Sequence, residues 1–251
     1  MVKDKKIKIY ASLLLFLFFS EAYSIDFFIK PLKIFIEKGK NTAVFEIVNT
    51  SDKDMMIETE LKKWDLDNKG NFVLSETEDI IVIPPFIQLK PKQKQLIKIA
   101  YLGEPPIKKQ LSYRLILKQV PDELDIKSSG DKVKTAVQIV FHISVPVFIN
   151  PLTVNPEPKL IITPVEVSKS KVALKLENVG TGFVKTVGIV LKKDDEVLYA
   201  QQLVRYVLPD SSFVIEITKK DKEGNYQEFG SVPEIAEIHL ENNEKIEVPL
   251  Q

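Results

Sequence analysis

Along most of this chain, apolar and polar residues alternate with a period of two, in short runs separated by Gly, Pro, Asn and Asp. KPLKIFIEKGK, TAVFEIVN, MIETELKKW, FVLSETEDIIVIPP, QLIKIAYL and LSYRLILKQVP read this way in the first half. KLIITPVEV, KVALKLENVG, KTVGIVLKK, EVLYAQQLVRYVLP, SFVIEIT and AEIHLENNEKIEVPL continue the pattern. Such alternation sets one face of each run against a core and the other towards water, as a strand requires. No window of twelve residues carries helical periodicity. Short strands at regular spacing predict an all-β protein built of β-sandwiches. Turns are expected at NTSDKD (Asn49–Asp54) and DLDNKG (Asp65–Gly70), whose side chains tolerate turn geometry. The pattern breaks at NPLTVNPEP, residues 150–158, where three prolines stiffen the chain and disfavour pairing. This divides the chain into two β-domains, 25–150 and 152–251, each of ordinary domain size.

One run differs from the rest. In AVQIVFHISVPVFINP, residues 136–151, the odd positions Val137, Ile139, Phe141, Ile143, Val145 and Val147 are all apolar. Pro146 cannot donate a ladder hydrogen bond, which places the strand at the edge of a sheet. A long apolar edge is a template for another chain, and proteins normally blunt it. Here it is left sharp.

The N-terminus supplies a compartment. Lys3, Lys5, Lys6 and Lys8 precede an apolar run from Ile9 to Phe19, and Ala22 and Ser24 occupy the small-residue positions of a cleavage site. This reads as a signal peptide over 1–24, too short to span a bilayer comfortably, and it predicts export. The whole chain balances 35 basic against 35 acidic residues. Residues 1–24 remove four lysines and two acids, so the remainder is slightly acidic. Nucleic-acid binding, which wants a basic excess, is not expected. The absence of cysteine removes thiol catalysis, cysteine zinc sites and iron–sulfur clusters.

Catalytic motifs are missing too. Neither His142 nor His239 has a Ser–His–Asp or HExxH context. DLDNKGNFVLSE (Asp65–Glu76) imitates a calcium loop in part, but Lys69 puts a cation where a ligand belongs, and a hairpin turn fits better. Acidic pairs such as Asp194–Asp195 lie in polar turns, where nothing desolvates them. The chain is therefore not read as an enzyme, and no cofactor or metal is expected. Basic residues on strands carry more information. In LSYRLILKQVP, Leu111, Tyr113, Leu115 and Leu117 share one face, and Arg114, Ile116, Lys118 and Val120 the other. The cations are either a solvated outer face or an anion site in which a guanidinium grips a carboxylate through two parallel hydrogen bonds.

The succession FIKPLKIFIE, VNTS, a strand ending in Trp64, IVIPPFIQLKPKQKQLIKI, YRLILKQVP and ISVPVFINP resembles the N-terminal domain of the periplasmic chaperones of chaperone–usher pili. LENVGTGFVKTVGIVL and YVLPDSS are similar to segments of that family's second domain, so the resemblance spans residues 25–251. YRLILKQVP with SVPVF looks most like its archaic or alternative branch. The resemblance implies two immunoglobulin-like domains in a boomerang, periplasmic location, pilus subunits as partners and delivery to an outer-membrane usher. It implies that the last strand of the first domain is lent to a subunit lacking a strand, through Val137, Ile139, Phe141 and Ile143. Four such side chains contribute about 6–12 kcal/mol gross, against an association cost of about 4–15 kcal/mol. Backbone pairing and a carboxylate anchor must therefore add to them. For that anchor, Lys33 falls where the better-known branch has a first-strand Arg, while that branch's last-strand Lys aligns with Pro146. Arg114 is the preferred replacement, with Lys98 and Lys118 behind it. A secreted adhesin or structural fibre subunit is the alternative, although such a subunit should have an incomplete sandwich. Self-association of the free protein, a common way to cover such an edge, is left open.

Overall fold

The computed structural model describes residues 27–121 and 140–250. The segment read as a signal peptide, together with Val137 and Ile139, lies outside the described residues. Eighteen strands and no helix are found among those described. The first ten form two sheets. One has the order β1 (Phe27–Lys30), β3 (Thr42–Asn49), β8 (Lys94–Tyr101), β6 (Ile80–Ile83). The other has the order β2 (Ile34–Ile36), β10 (His142–Ile149), β9 (Leu111–Val120), β4 (Met55–Leu66), β5 (Phe72–Ser75), and β7 (Phe86–Leu89) also pairs with β4. Alternate residues of the two sheets meet in a core that includes Phe45, Ile47, Ile57, Ile97, Ile99, Leu115, Leu117, Val145 and Val147.

Two runs that read as continuous are divided between these sheets. KPLKIFIEKGK is split: Lys30 ends β1 in one sheet, and Ile34–Ile36 form β2 in the other. FVLSETEDIIVIPP separates into β5, on β4, and β6, on β8. The crossing from β1 to β2 passes through the cis peptide at Pro31, and the crossing from β6 to β7 through the cis peptide at Pro84. Proline offers no N–H to a ladder, which suits it to the end of a strand or to an edge. Alternation locates strands but is blind to which sheet each joins.

The remaining eight strands build a second sandwich. Its sheets run β11 (Leu160–Val167), β12 (Lys171–Asn178), β15 (Ser212–Lys220), β16 (Tyr226–Gln227), and β14 (Glu196–Val207), β13 (Val184–Lys193), β17 (Ile235–Leu240), β18 (Lys245–Pro249). Val172, Leu174, Leu176, Ile189, Leu191, Phe213, Ile215, Ile217 and Ile238 fill its core. AEIHLENNEKIEVPL is the β17–β18 hairpin, turning at Asn243, whose φ of 69° is left-handed.

On the outer face of β17, Glu237 is buried beneath two lysines and a histidine. Lys192 Nζ lies 2.6 Å from its carboxylate, Lys245 Nζ 2.9 Å and His239 Nε2 2.5 Å. Hydrogen bonds from Lys192, Lys245 and His239, in that order, hold its pKa down to about 2. A carboxyl depressed in the folded state stabilises fully above its ordinary value of 4.5, and the contribution disappears as pH falls towards 2. Glu237→Gln is therefore expected to lower stability at neutral pH and to flatten the loss between pH 4.5 and 2. Urea unfolding across that range checks this, and parallel curves for the two proteins would refute it.

The two sandwiches meet through an aromatic stack. Phe148 and Phe183 lie parallel at 4.1 Å, Trp64 meets Tyr206 edge-on at 5.0 Å, and Phe35 stacks on Phe148 at 5.6 Å. Behind it, buried Gln110 fastens the pair: its N–H donates to Thr181 O, its Oε1 accepts from Phe183 N, and its Nε2 donates to Asn150 Oδ1. Lys33 and Lys185 converge on Glu241 from the two sandwiches. The turn of the β4–β5 hairpin also reaches across. A Cβ on Gly70 would stand 2.6 Å from the ring of Phe213. In this turn Asp67 Oδ1 accepts from the N–H groups of Lys69 and Asn71. Asp221, Glu223 and Asn225 repeat that geometry in the second sandwich.

Candidate ligand-binding cleft

β9 carries Tyr113, Leu115 and Leu117 into the core, so Arg114 belongs to the outer face of its sheet. An outer-face arginine is ordinarily solvated, yet Arg114 is only 7% exposed. Its guanidinium carbon lies 4.8 Å from the ring centre of Trp64 and 5.0 Å from that of Phe72. Its Nε donates to Ser144 Oγ at 3.0 Å and its Nη2 to Ser144 O at 2.9 Å. Among the described residues no carboxylate pairs with it. Burial pulls its pKa below the ordinary value, with Tyr206 acting in the opposite sense. A buried charge without a counter-ion is costly, and this one forms the floor of a cleft of about 520 Å³.

Neighbouring cations are already engaged. Lys62, directly opposite Arg114 on β4, is paired with Glu60 and Glu76. Lys118, four residues from Arg114 and so about 13 Å along the strand, lies 2.8 Å from Glu60, whose hydrogen bond raises the lysine pKa. Lys33 bonds Glu241. Burial would raise the Glu241 carboxyl, but Lys33 and Lys185 outweigh it and hold it low. Lys98 is exposed on β8, in the opposite sheet, between Val44 and Ile83. Of the four cations singled out in the sequence, only Arg114 lines the cleft.

The cleft is flanked by two open strand edges. β10 pairs with β9 from His142 to Ile149, but β2 covers its other side only at Val147–Ile149. From His142 to Pro146 no strand among the described residues covers that side, and Ile143, Ser144, Val145 and Pro146 line the cleft. Phe141 extends the pairing through Gln119 N–H, which donates to its carbonyl at 3.0 Å. Phe141 and Ile143 are half-buried against the first core. Opposite stands β14, which pairs only with β13 among the described residues and contributes Val204, Arg205 and Tyr206. These three escape a reading of alternation, since they reach the cleft only when the sandwiches pack. Trp64 and Phe148 did leave a sign: each is a large aromatic on an otherwise mixed outer face.

A family model for the pili and flagellar-assembly chaperone, PapD N-terminal domain, matches residues 26–155. The chain belongs to this family, a class of assembly chaperones rather than enzymes. No match is found among curated protein sequences. Among solved structures, a chain of the CsuC–CsuE chaperone–tip adhesion subunit pre-assembly complex, from the archaic chaperone–usher Csu pili of Acinetobacter baumannii, is 19% identical with a TM-score of 0.65. The match covers 89% of this chain and 98% of that one. The Salmonella enterica SafA pilin–SafB chaperone complex gives 13% identity and a TM-score of 0.60, covering 90% and 97%. The Pseudomonas aeruginosa CupB2 chaperone gives 15% and 0.57, covering 89% and 100%. The two-sandwich architecture is common to all of them.

Proposed function

We propose that this protein is a periplasmic chaperone that captures pilus subunits by adding the strand 136–149 to their incomplete fold, and that it delivers them to an outer-membrane usher. In this reading Val137, Ile139, Phe141 and Ile143 face the subunit's open core, and Arg114 grips its terminal carboxylate. Residues 25–150 form the chaperone domain and 152–251 the second domain. The observation that carries the reading is a buried guanidinium with no carboxylate partner among the described residues, set beside the edge of β10. Strand addition gives affinity through the backbone and specificity through alternate side chains. A terminal carboxylate supplies the counter-ion Arg114 lacks, through charge-assisted bonds. Lys33 and Lys118 are weaker anchors because each already has an acidic partner, and Lys98 lies on the other sheet.

Co-expression in the periplasm with a small β-rich subunit encoded beside the gene tests the donation. Ile139→Asp and Phe141→Asp are expected to reduce co-purified subunit by about tenfold or more, since each would place a carboxylate in an apolar groove. Circular dichroism melts of the variants separate this from unfolding. Undiminished recovery would overturn donation through this strand.

A further inference from the structure

The cleft above Arg114 is much larger than a carboxylate group, and part of its wall is apolar. Leu32 in the β1–β2 connection, Phe72 at the start of β5 and Val204 on β14 all line it, and all are exposed. Apolar side chains scattered singly over a surface need no explanation. Here three come from separate elements to one cleft with a charged floor. A bulge aims one of them. Between Thr186 and Gly188 of β13 lies a single residue, whereas Leu203 and Val204 lie between their partners Gln202 and Arg205 on β14. Leu203 is buried in the second core, while Val204 and Arg205 are both exposed along the cleft. In an unbroken strand these neighbours would point to opposite faces.

We propose that this cleft reads the last side chain of the captured chain as well as its carboxylate, and selects a large apolar or aromatic residue there. The inference rests on Arg114 as the carboxylate anchor. With the carboxylate on the floor, the terminal side chain must occupy the same cleft, against Leu32, Phe72 and Val204. Arg205 stands at the wall, its Nη1 donating to the carbonyl of Val204 and pairing with no carboxylate among the described residues. A terminal Lys or Arg would place a third cation beside Arg114 and Arg205 and is rejected.

The test uses the protein recovered from the periplasm and acetylated tetrapeptides Gly-Ser-Gly-X, with X as Phe, Gly or Lys and a free carboxylate, plus the Phe peptide as an amide. Trp64, the single tryptophan of the chain, touches Arg114 and provides the fluorescence signal. The Phe acid is expected to bind about tenfold more tightly than the Gly acid, and the Lys acid most weakly of the three. In a Leu32→Ser/Val204→Ser variant, exposed sites whose change spares the core, the Phe and Gly acids should come within about twofold while acid remains preferred to amide. Equal binding of Phe and Gly acids, with acid still preferred to amide, overturns side-chain reading and leaves the anchor standing. Loss of the acid preference overturns the anchor, and this inference with it. Silence from every peptide at millimolar concentration overturns both.

Discussion

Arg114→Met is expected to abolish subunit capture while leaving the protein as stable as before, or more so. Removing one partner of a buried, hydrogen-bonded charge pair costs about 2–5 kcal/mol of binding, at least about thirtyfold in affinity. The free protein faces the opposite balance. Its guanidinium is buried with no counter-ion among the described residues, and replacing such a charge by an apolar chain of similar length is often neutral or stabilising. Methionine keeps the packing of the stem against Trp64 and Phe72. The hydrogen bonds lost are those to Ser144, an exposed residue that water can serve instead. Arg114→Lys should fall between, since an ammonium keeps the charge but not the two-pronged grip. Titration calorimetry with a subunit and urea unfolding give the two readouts. Capture that falls only in step with stability would make Arg114 a structural residue, and undiminished capture would remove it from the anchor role.

Trp64→Ala is expected to have the largest effect on stability, a loss of about 3–5 kcal/mol. The side chain is 1% exposed and touches Phe72, Arg114, Phe148 and Tyr206, so its removal opens a cavity shared by both sandwiches. Its indole Nε1 is buried with no hydrogen-bond partner among the described residues, a cost of about 1–3 kcal/mol that the native protein already bears. Trp64→Phe deletes that donor while keeping a ring, and should therefore cost far less than the alanine variant. Denaturant unfolding followed by circular dichroism compares them. Equal losses would mean that ring packing is not what holds this junction.

Much of this architecture was legible in the chain. Period-two alternation located β3, β8, β9 and β12, and Pro146 marked the open side of β10, which β2 covers only from Val147 onward. Arg114 could be assigned to an outer face. Alternation could not say that Arg114 is covered, because the rings that lie against it, Trp64 and Phe72, come from other strands of the folded sheet. Nor could it separate Arg114 from Lys33 and Lys118. Their acidic partners, Glu241 and Glu60, lie 208 and 58 residues away along the chain, a pairing that only the folded topology creates. The bulge that turns Val204 into the cleft is likewise a mismatch between two strands, invisible in either alone.

The matching turns at Gly70 and Gly224 have a consequence for how this chain can vary. Both glycines hold left-handed backbone, with φ of 74° and 91°, inside the same pattern of aspartate hydrogen bonds. Around Gly224 nothing stands within 4 Å of where a Cβ would lie, so any residue tolerant of that backbone, asparagine above all, can take its place. At Gly70 the Phe213 ring closes off that option. Two positions with one local geometry thus have unequal freedom to drift. The constraint on the first is imposed by a residue of the other sandwich, and a change at Phe213 would have to precede any change at Gly70.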